Sequence, residues 1–189
     1  MGKIIFITGG VRSGKSAFAE RYAKQLFQIY DRKRLLYIAS GVAIDEEMAE
    51  RIKRHQQDRF NSSVQWETIE IVDDLVFNDE LFAEHPIVVW DCLTTWLNNV
   101  LYKTELLNGE ARTHEINRYI QALKEQVLKW KEVNDCILLL VSNELLDEAQ
   151  SKFSEVNRYC SLLGKMHQWI VEKCDEAYEM DYSLRKRWK

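Results

Sequence analysis

Short apolar runs that end in small or polar residues recur along the chain, separated by stretches with helical spacing. Ile4–Ile7, Leu35–Ala39, Ile87–Trp90 and Ile137–Val141 are continuous runs, the pattern of strands buried on both faces. Ser16–Gln28 carries Phe18, Tyr22 and Leu26 on one stripe and reads as an amphipathic helix. Asp45–Asp58 reads as a charged helix, with Asp45 as its N-cap and Met48, Ile52 and His55 turned inward. Leu93–Leu106, Glu110–Lys131 and Ser154–Lys173 are further helices by the same spacing, and Asp73–Phe82 a shorter one. Val64–Ile71 alternates weakly, as a half-exposed strand does, and Glu176–Tyr182 reads as a last edge strand.

Strands alternating with helices predict an α/β fold: a mostly parallel sheet covered by helices on both faces, in one domain over 1–189. Ligands of such sheets bind beyond the carboxyl ends of the strands. The loop at Gly9, the Ser40-Gly41 turn, Asp91 and Ser142-Asn143-Glu144 all follow strands, so they are expected to gather at one edge.

The first of these segments carries chemistry. Lys3–Ser16 reads KIIFITGGVRSGKS, a strand running into G-x-x-x-x-G-K-[ST] and then a helix, the context this motif requires. Gly9, Gly10, Val11, Arg12, Ser13 and Gly14 form the loop whose backbone N–H groups, with the positive end of the helix, make an anion nest. Lys15 is placed to reach terminal phosphates and the Ser16 hydroxyl to coordinate Mg²⁺. Ile87–Asp91 is an apolar strand ending in a carboxylate, the form in which Asp91 holds Mg²⁺ directly or through water. The fold expected is therefore P-loop NTPase-like, and the ligand a nucleoside triphosphate.

Composition narrows the classes. Of 189 residues, 46% are apolar and 30% charged, with a formal net charge of −4, which argues against a broad basic surface for nucleic acid. No apolar run approaches a membrane span, and no secretory segment precedes the first strand. The four cysteines contain no C-x-x-C pair; buried reduced thiols in a cytoplasmic protein are expected. Ser142-Asn143-Glu144-Leu145 is not the base-reading segment of a regulatory GTPase. A small-molecule kinase remains open on the loop and Asp91 alone.

A wider set of residues resembles one family, the bifunctional adenosylcobinamide kinase/adenosylcobinamide-phosphate guanylyltransferases of cobalamin biosynthesis. It comprises Thr8–Ser16 with Ala19-Glu20, Tyr37-Ile38-Ala39, Asp45–Met48, Arg51-Ile52 leading to His55 and Arg59, Trp66-Glu67-Thr68, Asp91–Thr94 with Trp96-Leu97 and Asn99, and Val141–Glu144. The resemblance implies phosphorylation, with ATP or GTP, of the hydroxyl on the aminopropanol arm of adenosylcobinamide, then transfer of GMP from GTP through a GMP–histidine intermediate. It places the nucleophile at His55, adds Glu67 to the nucleotide contacts, and implies a homo-oligomer, typically a trimer. A neutral imidazole suits that step, because it attacks an α-phosphorus and then leaves as a phosphoramidate. Arg51, Arg54 and Arg59 lie near it in sequence, as cations to neutralise pyrophosphate. Asn143 and Glu144 are read either as a strand cap or as contacts to Mg²⁺ or the cobinamide arm, and Arg12 either as a phosphate contact or as a surface arginine.

The chain departs from the family's pattern in three places, and in one residue of a later segment whose spacing still fits. Phe60 stands where a proline is usual, Leu145–Ser151 replaces a glycine-rich stretch, His167 replaces an asparagine, and Arg185–Lys189 is a charged end. A kinase lacking the second transfer, or a nucleotide-binding regulatory protein, are the alternatives these departures leave.

Overall fold

The computed structural model describes residues 1–41, 46, 50, 53, 57, 59, 64–145 and 151–189. Most of the expected helix Asp45–Asp58 lies outside them. The strands are β1 (Lys3–Gly9), β2 (Leu35–Ala39), β3 (Glu67–Glu70), β4 (Ile87–Asp91), β5 (Ile137–Val141), β6 (Glu176–Asp181) and β7 (Leu184–Arg187). The helices described along their length are α1 (Lys15–Ile29), α2 (Leu93–Lys103), α3 (Gly109–Leu128) and α4 (Ser154–Lys173). They build one seven-stranded sheet in the order β3-β2-β4-β5-β1-β6-β7. Every neighbouring pair is parallel except β6 and β7.

The runs are continuously apolar because each strand feeds two cores. Successive side chains on a strand point to opposite faces. Ile5 and Ile7 therefore join Phe18, Ala23 and Leu26 of α1 on one side. Ile4 and Phe6 join Trp90, Trp96, Leu123 and Leu163 on the other. After α3 a π turn, Lys129–Val133, drives Trp130 fully into this second core, where it stacks on Phe82 at 4.6 Å.

Two elements differ from expectation, for tertiary reasons. Asp73–Phe82 is not a helix; apart from a 3₁₀ turn at Asp79–Phe82 it is irregular. α2 holds the start of the segment instead: Trp96 Nε1 donates to Asp73 O at 2.9 Å, and Asn99 Nδ2 to O of the preceding Val72 at 2.8 Å. Glu176–Tyr182 is not an edge strand. β6 is paired on both sides, and the charged end supplies the edge as β7, with Arg185, Lys186 and Arg187 on an open strand where charge discourages further pairing.

Candidate active site

β1 sits between β5 and β6 and delivers Gly9 to the carboxyl edge of the sheet. Gly9 has φ 151°, and a Cβ there would lie 2.2 Å from the Met180 carbonyl oxygen of β6. Only glycine lets the chain turn out of the sheet this close to its neighbour. Gly14, at φ 89°, is the N-cap of α1 and offers no side chain to the helix's first N–H groups, leaving them for an anion. Ser13 N–H donates back to Gly10 O at 3.2 Å, and Lys15 Nζ spans the loop to Gly10 O at 2.8 Å, with the lysine only 6% exposed. Val11 and Arg12 are exposed at the loop's crest, while Ser16 lies half-buried in the first turn of α1. Thr8 Oγ1 and Ser13 Oγ are buried at the loop without a hydrogen-bond partner.

Gly9→Ala is expected to lower stability by about 3 kcal/mol, because a methyl group there meets backbone rather than a side chain that can swing away. The melting temperature should fall by roughly 6–12 °C, which calorimetry checks.

Asp91 lies two strands from the loop. It is level with Val141 of β5, which is level with Ile7 of β1, so its backbone is about 10 Å from β1. Ile87 and Val89 belong to the core on the α1 side. By alternation Asp91 also points to that face, the one α1 covers. Tyr37, buried in β2, donates its hydroxyl to Asp91 Oδ2 at 2.8 Å. Burial and then the Asp91 charge push the Tyr37 pKa well above its ordinary value, so it remains a donor. The Arg59 guanidinium lies 3.7 Å from the centre of the Tyr37 ring and pairs with Glu20 of α1 at 3.3 Å. Arg59 is thus buried in a structural pairing rather than held out as a pyrophosphate contact, a change from the sequence expectation.

The other strand ends close around these residues. Ser40 N–H donates to Asp91 O at 3.2 Å, and Trp90 Nε1 to Ser40 Oγ at 2.7 Å. Ser142 N–H donates to Ile7 O at 3.0 Å and Glu144 N–H to Gly9 O at 2.8 Å, so the segment after β5 braces the start of the loop. A buried chain holds that segment: Asn143 N–H donates to Thr94 Oγ1 at 2.7 Å, Thr94 Oγ1 lies 3.1 Å from Ser142 Oγ, and Ser142 Oγ lies 2.8 Å from His167 Nε2. Burial lowers the His167 pKa to about 4, so the imidazole is neutral there.

The structure does not bring every expected residue together. Glu67 is level with Leu36, three positions short of the Ala39–Asp91 level. Both its carboxylate oxygens accept from Arg34, at 2.8 Å each, so it is engaged away from the loop. His55, Arg51 and Arg54 lie outside the described residues, as does 146–150. Tyr37 and Thr94 enter the sequence reading only within the family resemblance, and His167 only as a departure from it, without these contacts. An apolar run disguises the first, and side chains far apart in sequence form the chain. A signal for Tyr37 does exist: it shares a strand face with Ala39, which a neighbouring strand's terminal carboxylate would flank.

A glycine loop between a central parallel strand and a helix, a lysine folded over it, and a carboxylate on a nearby strand end define an α/β protein of the P-loop NTPase-like class. Within that class the chain belongs to the cobinamide kinase/cobinamide phosphate guanyltransferase family, whose pattern matches residues 5–183. It is 37% identical to the bifunctional adenosylcobalamin biosynthesis protein CobU of Escherichia coli K12, over 93% of each chain. It is 36% identical to the protein of that name from Salmonella typhimurium LT2, again over 93% of each. It is 32% identical to the bifunctional adenosylcobalamin biosynthesis protein CobP of Pseudomonas aeruginosa PAO1, over 90% of this chain and 88% of that one. A KaiC-like protein from Pyrococcus horikoshii OT3 aligns with a TM-score of 0.44 at 11% identity, covering 94% of this chain and 70% of that one. The fold assignment rests on strand order and loop geometry alone.

Proposed function

We propose that the protein phosphorylates adenosylcobinamide with ATP or GTP, then moves GMP from GTP onto the new phosphate through a guanylyl-histidine at His55. The observation that carries this reading is Asp91 on the same sheet edge as the Lys15-bridged loop, in a chain matched to its family from β1 to the β6–β7 turn.

In the first transfer the loop N–H groups and Lys15 hold the nucleotide phosphates in line with the arm hydroxyl. The hydroxyl oxygen bonds to the γ-phosphorus, the nucleoside diphosphate leaves, and the hydroxyl proton is released. In the second, an imidazole nitrogen of His55 bonds to the α-phosphorus of GTP as pyrophosphate leaves. A phosphate oxygen of adenosylcobinamide phosphate then displaces the imidazole and carries away the GMP.

The residues present suit Mg²⁺. The Ser16 hydroxyl and the Asp91 carboxylate are hard oxygen donors, and Mg²⁺ takes one or two such protein ligands with phosphate and water completing its shell. Among the described residues no set of three or more His, Cys, Asp or Glu side chains could hold a metal by itself. Bound there, it would neutralise charge that develops on the phosphate oxygens. Tyr37 would then orient the Asp91 carboxylate.

We place the protein in the cytoplasm, which its four free thiols support, and as a homo-oligomer, a trimer by family resemblance. No helix of the described residues is long and apolar enough to cross a membrane.

The decisive experiment incubates the protein with adenosylcobinamide and GTP labelled at either the γ- or the α-phosphate. Both labels are expected in corrinoid product. γ-Label alone would leave a kinase that lacks the second transfer, and neither label would overturn the reading.

A further inference from the structure

The turn between β6 and β7 is joined to the phosphate loop. Ser183 N–H donates to Ser13 O at 2.9 Å, and Ser183 Oγ lies 2.9 Å from where a Cβ on Gly14 would stand. β6 brings the turn there, because Met180 is in register with Gly9. Asp181 pairs with Leu184, so Tyr182 and Ser183 are the whole turn, and both have positive φ, 46° and 63°. A two-residue turn with both central φ values positive is the type I′ geometry, for which Asn-Gly or Asp-Gly is the low-strain choice. Tyrosine at the first position is unfavourable on backbone grounds. Its ring gains nothing from the fold in exchange: Tyr182 is 88% exposed and, among the described residues, stacks on no ring and bonds to no side chain.

Phosphates held by the loop N–H groups and the start of α1 leave the ribose and base to emerge over the loop's rim. Tyr182 adjoins Ser183, whose N–H holds the loop at Ser13 O. Beside it a groove of about 530 Å³ runs between α1 and the hairpin, lined by Ser183, Arg185, Phe18 and Arg21 among others, with room for a nucleoside. We propose that Tyr182 is the stacking platform for the nucleobase of the bound triphosphate, so that the β6–β7 turn completes the nucleotide site. The inference rests on the nucleotide reading above. It assigns the ring to either purine alike, because every base presents a π face.

The test measures calorimetric affinities for Mg²⁺-GTP and for Mg²⁺-tripolyphosphate, which has no base. Wild type is compared with Tyr182→Asn, which removes the ring and tolerates positive φ, and with Tyr182→Phe, which keeps it. Tyr182→Asn should bind GTP about tenfold more weakly, at the lower end of what one stacked base contributes, with tripolyphosphate affinity unchanged. Tyr182→Phe should restore GTP affinity. A wild type that binds neither ligand would overturn the nucleotide reading and this inference with it. A wild type that binds GTP, with Tyr182→Asn losing nothing or losing both ligands equally, would overturn this inference alone.

Discussion

Replacing His55 with alanine is expected to abolish the acid-labile adduct formed from GTP labelled at the α-phosphate, and to lower GMP transfer by more than about 10³-fold. Losses of that order follow when a covalent nucleophile is removed, because the reaction must find another route rather than a slower version of the same one. The phosphorylation step should survive, since the loop, Lys15, Ser16 and Asp91 are sufficient for in-line transfer to a hydroxyl. The two outcomes separate the functional readings. An adduct on wild type that the variant lacks, with γ-phosphate transfer intact in both, is the bifunctional result. An adduct that persists in His55→Ala would move the nucleophile elsewhere, and His167 is poorly placed to replace it. Its imidazole is buried and joined to Ser142 at 2.8 Å, so no α-phosphorus reaches it without breaking the chain that braces the loop.

What the sequence made readable was local. Ile4–Ile7, the two glycines and Lys15-Ser16 are neighbours in the chain, and their geometry follows from strand, turn and helix rules that act over a few residues. The continuous apolar runs announced a sheet buried on both faces because each residue of Ile4–Ile7 and of β5 packs on one of two cores. Contacts set by register were not readable. Tyr37 meets Asp91 across 54 positions because β2 lies beside β4, and a tyrosine within LLYIA resembles any other core aromatic. Asp73–Phe82 has helix-compatible spacing, yet Trp96 captures the carbonyl of Asp73 and Asn99 that of Val72 just before it. Glu67 was assigned by resemblance alone, and Arg34 engages both of its oxygens. The charged end Arg185–Lys189 has no buried alternation to reveal a strand, because an edge with both faces open requires none.

Lys15→Ala should reduce both transfers, each by about 10²–10³-fold, the loss typical when one preorganised charge donor is removed from a transition state. Both activities fall because both reactions need the triphosphate held with its terminal oxygens neutralised, whichever phosphorus is attacked. The structure adds a second cause. Lys15 Nζ donates to Gly10 O at 2.8 Å, so the side chain also ties the loop's first turn to α1 and keeps the nest formed before ligand arrives. Alanine therefore removes a phosphate contact and the brace that shapes the site. Lys15→Arg tests the distinction. Arginine keeps the charge, but its planar fork does not reproduce the single short bond across the loop. Steady-state rates for γ-phosphate and GMP transfer, measured with saturating corrinoid, should therefore show Lys15→Arg nearer to alanine than to wild type. A variant at either substitution that retained full rates would place the phosphate-binding cation elsewhere.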